Sequence, residues 1–254
     1  MLRSYAITDI GRKRPINQDY IFASDVAVGN LPNVYVVADG MGGQNGGDTA
    51  SKVTVETVVR EIEGYCEDTQ DDTANPDDIF DRAISIANVS IRERAKMDST
   101  LEGMGTTVVA ATVCGSSLHV ANVGDSRLYV VGQSISQITV DHSFVEEMIK
   151  RGVIDRASAR NHPDKNKITR AVGACRTVNA DFFHVALQPG DVVLICTDGL
   201  TNMVEDDMIK HILRGDGSVQ EKAGKLIAEA NRNGGSDNVS VIVIDPFSDE
   251  VEHD

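Results

Sequence analysis

The sequence has no apolar run near the length of a membrane span, and its N-terminus MLRSYAITDIGRKRP lacks the apolar core of a signal peptide. Both absences lead us to expect a cytoplasmic protein. The four cysteines, Cys66, Cys114, Cys175 and Cys196, form no C-x-x-C pair, so neither a zinc knuckle nor a disulfide frame is expected. The six histidines, at 119, 142, 162, 184, 211 and 253, include no H-x-x-x-H or H-E-x-x-H arrangement, and each reads singly as a surface or packing residue. A basic stripe is missing too. Residues 61–81 hold nine acids and residues 245–254 five, with no Lys or Arg in either, and outside them 25 acids face 24 bases. Nothing here fits a nucleic-acid surface or a polybasic membrane patch, and the two acidic runs read as solvated surface and a frayed tail. Fixed-period repeats and a Pro/Gly-rich interdomain linker are likewise absent. One domain over 1–246 with an acidic tail at 247–254 is the expectation.

The elements are legible by period. LRSYAIT, DYIFAS and VYVVA read as strands, and from Gly47 apolar residues recur at helical spacing through Val55, Val58, Val59 and Ile62. Asn75, Pro76, Asp77 and Asp78 form a strong helix start: a capping side chain, a ring that suits the first turn, and acids at the positive end of the dipole. TTVVAATVC, SLHVANV and SRLYVV, separated by short turns, suggest a three-strand meander. Ser143 and Glu146 suggest a capping box, and residues 152–167 read as polar and irregular. DFFHVAL and DVVLICT are further strands, two helices follow, and NVSVIVI closes the chain. This order indicates an α+β protein with antiparallel sheets.

The chemistry lies where apolar strands meet acids. In VYVVADGMGG the carboxylate of Asp39 follows a strand that looks buried, and three of the next four residues are glycine. Asp-Gly alone marks a turn, but an isolated buried anion needs a counter-charge. Asp39 has counterparts: Asp198 in VVLICTDGL, Asp125 in NVGDSR and Asp237 just before the last strand. If the strand ends converge, these carboxylates require cations between them. An all-oxygen set favours Mg²⁺ or Mn²⁺ over zinc, copper or iron, for which the sequence offers no His/Cys cluster. Gly40 would let the backbone close on the site and offer its carbonyl as one more hard ligand. Two such ions about 4 Å apart acidify a shared water and clamp an oxyanion, the general device for phosphate ester hydrolysis.

The motifs RPINQD (14–19), VVADGMGG (36–43), GMGTT (103–107), ANVGDSR (121–127), DHS (141–143), ITRAVG (168–173), CTDGL (196–200) and GGSDNVSVIVI (234–244) run in this order along the chain. On them the sequence resembles the bacterial metal-dependent serine/threonine protein phosphatases of type 2C. The resemblance covers almost the whole chain. It implies a four-layer αββα sandwich, two antiparallel sheets flanked by helix pairs, with a flap at about 144–167 beside the metal site. Carried over by position, Asp39 would bridge two Mn²⁺ or Mg²⁺ ions, the Gly40 carbonyl would bind one of them, and Asp198 and Asp237 would complete the other. A third site would use Asp125 with Asp198. Asp19 would act at one remove, through metal-bound water, and Asn238 would hold the last loop. Arg14 would grip the substrate phosphate; read without the resemblance, it is one exposed cation among Arg12, Lys13 and Arg14. Met41 stands where the eukaryotic branch has a histidine, which leaves the general acid open, with His142, His162 and metal-bound water as candidates. The implied substrates are phosphorylated proteins, including a serine/threonine kinase and its targets, for a monomeric enzyme. The competing reading is a catalytically weak regulatory or phosphoprotein-binding member of the same fold.

Overall fold

A computed structural model describes residues 2–42, 46–68, 75–160 and 162–248. The acidic linker expected between the first two helices falls largely on residues 69–74 and most of the acidic tail on 249–254, both outside the described residues. Two antiparallel sheets carry the fold. One runs β1 (Arg3–Asp9), β11 (Val239–Asp245), β10 (Val192–Cys196), β7 (Arg127–Val131) and β8 (Ile135–Gln137). The other runs β2 (Asp19–Ser24), β3 (Val34–Met41), β5 (Val108–Cys114), β6 (Ser117–Val123) and β9 (Asp181–Ala186), with the short β4 (Gly105–Thr106) also beside β3.

The central strands are apolar without alternation because both their faces are covered. In β3, Tyr35 and Val37 point between the sheets, whereas Val34, Val36 and Ala38 meet the helices α1 (Gly47–Asp68) and α2 (Pro76–Met97) through Val58, Ile62, Phe80 and Ile84. In β10 and β11 the same division sends Ile195 and Ile242 inward, and Leu194, Val241 and Val243 outward onto α6 (Asp206–Arg214) and α7 (Val219–Arg232). The result is the expected helix, sheet, sheet, helix layering. The start of α2 is built as read from the sequence, with the Asn75 side chain accepting the Asp77 N–H and Pro76 opening the helix.

Four local expectations are corrected. The three-strand meander does not exist: β5 and β6 pair in one sheet, but β7 pairs with β10 and β8 in the other. Gly124 and Asp125 therefore lie where the chain crosses between sheets. Residues 152–167 are not wholly irregular, since α4 (Arg156–Arg160) forms there after α3 (Phe144–Lys150). The capping box is half made: Ser143 Oγ accepts the Glu146 N–H, but the Glu146 carboxylate accepts from Arg156 Nη2 at 3.1 Å. A one-turn helix, α5 (Asp198–Thr201), starts on the predicted aspartate itself.

Candidate active site

Asp39 lies inside β3, opposite Asp19, the first residue of β2. Its backbone is fixed by two threonines of the GMGTT motif. Thr107 Oγ1 accepts the Asp39 N–H at 2.9 Å, and the Asp39 carbonyl accepts from Thr107 N and Thr106 Oγ1. Asp198 comes off the end of β10 in the first turn of α5, where Asn202 Nδ2 donates to it at 2.9 Å. Asp237 stands just ahead of β11. Asp39, Thr107, Asp198 and Asp237 line one cleft of about 730 Å³ with Arg14, Gly40, Met41, Asp125 and Asn238. A second cavity of about 360 Å³, under α3 and α4, adjoins it and shares Asp125, Asn166 and Asp198.

Two glycines make the close approach possible. A Cβ on Gly40 would lie 1.9 Å from the Gly47 carbonyl oxygen, and one on Gly199 would lie 1.8 Å from that of Asn238. No other residue fits either place. Asn238 ties three segments together. Its Nδ2 donates to the Ile10 and Ile16 carbonyls and its Oδ1 accepts the Gln18 N–H, all at 2.9 Å. It thereby fixes the loop carrying Arg14 against the loop carrying Asp237.

The acids crowd one another. Burial first, then the charges of Asp19, Asp198, Asp125 and Asp237, holds the Asp39 carboxyl well above the usual carboxylate range. Burial and Asp198 do the same to Asp125, against the opposing pull of Arg127. Asp198 rises to about 6, again chiefly by desolvation. Asp19, only 6% exposed, rises to about 7 although Ser240 Oγ and Thr197 Oγ1 both donate to its Oδ2. Its other oxygen, Oδ1, is buried with no hydrogen-bond partner among the described residues. A neutral or cationless pocket gives that oxygen nothing. Dications fit it, because the donor set is all oxygen and the excess of negative charge is the dominant feature of the cleft.

Arg14 reaches the rim of the cleft, about half exposed, and forks onto Asp237 with Nε to Oδ1 and Nη2 to Oδ2, each at 2.8 Å. His142 and His162 do not line the cleft. His142 is buried, its Nδ1 accepts the Gly124 N–H, and its Nε2 therefore donates to Asp181 at 3.1 Å. His162 Nδ1 accepts the Asp164 N–H. Both are occupied structurally.

Sequence reasoning assigned no role to Thr107, Thr197, Ser240 or Arg127. Each lies in a motif already singled out, and a hydroxyl inside an otherwise apolar strand, as at Ser240 in NVSVIVI, was the available signal. Arg127 is held by Asp141 through Nε and Nη2 and by Tyr129, so a partly buried, fixed cation stands behind Asp125 and Asp198.

Paired antiparallel sheets between helix layers, with acids from four strand junctions in one cleft, are the architecture of the protein phosphatase 2C family, to which this chain belongs: residues 11–216 match that family's model. It is thus an enzyme, a protein phosphatase acting on phosphorylated proteins. Among individual proteins it is 40% identical over 242 residues to the serine/threonine phosphatase Stp of Listeria welshimeri, covering 94% of this chain and 93% of that one. Serine/threonine phosphatase Stp1 from Staphylococcus aureus superposes with a TM-score of 0.89 at 33% identity, over 98% of this chain and 96% of that one. The catalytic domain of the phosphatase PstP, solved in complex with two manganese ions, superposes with a TM-score of 0.83 at 32% identity, over 97% and 99% of the two chains.

Proposed function

We propose that this chain hydrolyses phosphoserine and phosphothreonine in proteins, using two Mn²⁺ or Mg²⁺ ions held by Asp39, the Gly40 carbonyl, Asp198 and Asp237, with Asp125 and Asp198 forming a third site. The observation that carries this reading is the mutual crowding of Asp39, Asp125, Asp198 and Asp237 in one cleft, with Asp19 buried opposite Asp39, where each raised carboxyl is raised in part by its neighbours. Ions bound there supply a water that is nucleophilic at neutral pH and Lewis acidity toward the phosphoryl oxygens.

The chain's own residues do the rest. Asp19 is anchored through one oxygen by Thr197 and Ser240, and its free oxygen Oδ1 is left to orient whatever fills the cleft. Arg14 offers a planar fork of donors at the rim, and a phosphate dianion competes with Asp237 for that fork. Asn238 keeps the two rims in register. Asn166 and Ile168 bring the segment after α4 to the wall of the cleft, which supports a flap at about 144–167 beside the substrate. Met41 cannot donate a proton, and His142 and His162 face elsewhere, so the leaving group takes its proton from solvent in the cleft.

The free thiols Cys114, Cys175 and Cys196 support a reducing, cytoplasmic setting. We take the enzyme to act there as a monomer on a serine/threonine kinase and its targets. Hydrolysis of p-nitrophenyl phosphate and of a phosphothreonine peptide with Mn²⁺, against chelator and Asp39→Ala, tests the reading. Turnover abolished by both treatments is expected. Turnover that survives chelation would overturn it, and a folded, metal-loaded protein that retains phosphopeptide without cleaving it would favour the regulatory reading.

A further inference from the structure

Outside the acidic cleft, three residues with no assigned chemistry converge. His119 in β6 and His184 in β9 are cross-strand partners on the face that carries α2, with ring centroids 4.8 Å apart. Asp77, in the first turn of α2, reaches them. His184 Nε2 lies 2.9 and 3.1 Å from the two Asp77 oxygens, and His119 Nδ1 lies 3.6 Å from Oδ1. One nitrogen from each ring and one carboxylate oxygen lie within 4.8 Å of one another. None of the three lines the acidic cleft.

His119 is the residue that needs explaining. Its Nδ1 is buried with no hydrogen-bond partner among the described residues, and 3.6 Å is too long for a hydrogen bond to Asp77. Its Nε2 has the Ser117 hydroxyl at 3.4 Å. If Nδ1 carries the proton, a buried donor goes unused; if it does not, a lone pair faces a carboxylate. A cation between the three groups resolves both cases. Tetrahedral zinc with bonds of about 2.0 to 2.1 Å places its ligand atoms roughly 3.3 Å apart. The Asp77 separations to the two rings, from 2.9 to 3.6 Å, bracket that spacing.

We propose that Asp77, His119 and His184 form a second kind of metal site on this chain, a Zn²⁺ site outside the catalytic cleft. Two imidazoles and one carboxylate suit a borderline ion with tetrahedral preference, whereas Mg²⁺ prefers six oxygens. His184 is half exposed, so the fourth position opens to solvent and takes water. The site clamps the first turn of α2 to the β6–β9 edge of the sheet, and the Ser117 hydroxyl orients the His119 ring.

The test uses full-length protein saturated with Mg²⁺, so that the acidic cleft is occupied by a diamagnetic ion. Zn²⁺ is added while the imidazole ¹⁵N resonances of the six histidines are followed. Large shifts confined to His119 Nδ1 and His184 Nε2 are expected at one equivalent, and zinc should raise the melting temperature. His184→Gln, at a half-exposed position, and Asp77→Asn should each weaken zinc binding by more than about tenfold while hydrolysis of p-nitrophenyl phosphate with Mg²⁺ stays unchanged. Zinc that leaves all six rings unshifted, or binding equally tight in His184→Gln, would overturn the assignment and reduce the cluster to a hydrogen bond between Asp77 and His184.

Discussion

Replacing Asp19 by Asn should stabilise the metal-free protein in a way that depends on pH. Asp19 is almost fully buried, and its carboxyl is raised from 3.8 to about 7 by desolvation and by Asp198 and Asp237. Below about pH 4 folded and unfolded chains both hold the proton, and the charge costs nothing. Above it the unfolded chain releases its proton first, so stability falls as pH rises, until the folded carboxyl also ionises near 7. The gap corresponds to a penalty on the order of 4 kcal/mol at pH 8. Asparagine removes it, since its amide oxygen can still accept from Thr197 and Ser240, while its NH₂ replaces the unpartnered Oδ1 beside the other carboxylates. Thermal melts of chelated protein should therefore show the variant higher by roughly 10 °C at pH 8 and level with the parent at pH 4. The same variant should bind Mn²⁺ more weakly and lose turnover. An equal shift at both pH values, or none at pH 8, would refute the claim that unneutralised charge dominates the cleft.

Other outcomes follow from single contacts. Arg14→Ala should lower kcat/KM on a phosphopeptide by roughly 10- to 150-fold, the worth of a hydrogen bond to a charged group, with Arg14→Lys recovering only part; steady-state kinetics decide this. Gly40→Ala drives a Cβ to 1.9 Å from the Gly47 carbonyl oxygen, so a loss of about 3 kcal/mol or more is expected in denaturant unfolding, together with loss of turnover. Thr107→Val leaves the Asp39 N–H and the Ser126 hydroxyl without their partner and should cost about 1 to 3 kcal/mol by the same measurement, with a parallel loss of Mn²⁺ affinity.

What the sequence made legible was whatever depends on neighbours in the chain or on motif order. The Asn75 cap, the apolar helix faces and the buried strands follow from local spacing. Four aspartates, Asp39, Asp125, Asp198 and Asp237, were legible because a carboxylate beside an apolar strand conflicts with its surroundings, and the four line one cleft. Long-range geometry was not legible. Nothing local distinguishes the Gly124–Asp125 junction from a hairpin, yet it carries the chain from one sheet to the other. The helix α4 has only five residues, too few for a period to emerge. Arg14 reads as a free cation until Asp237, 223 residues away, is seen to hold it. His119 and His184 appeared unrelated because their meeting depends on strand register, and Asp77 had been accounted for as a helix-start acid.

The most direct measurement of the central claim is anomalous scattering from crystals soaked in Mn²⁺. Peaks in the cleft at Asp39, Gly40, Asp198 and Asp237 are expected, lost in Asp39→Ala crystals. Manganese absent from that cleft at saturating concentration, or bound only away from those residues, would contradict it.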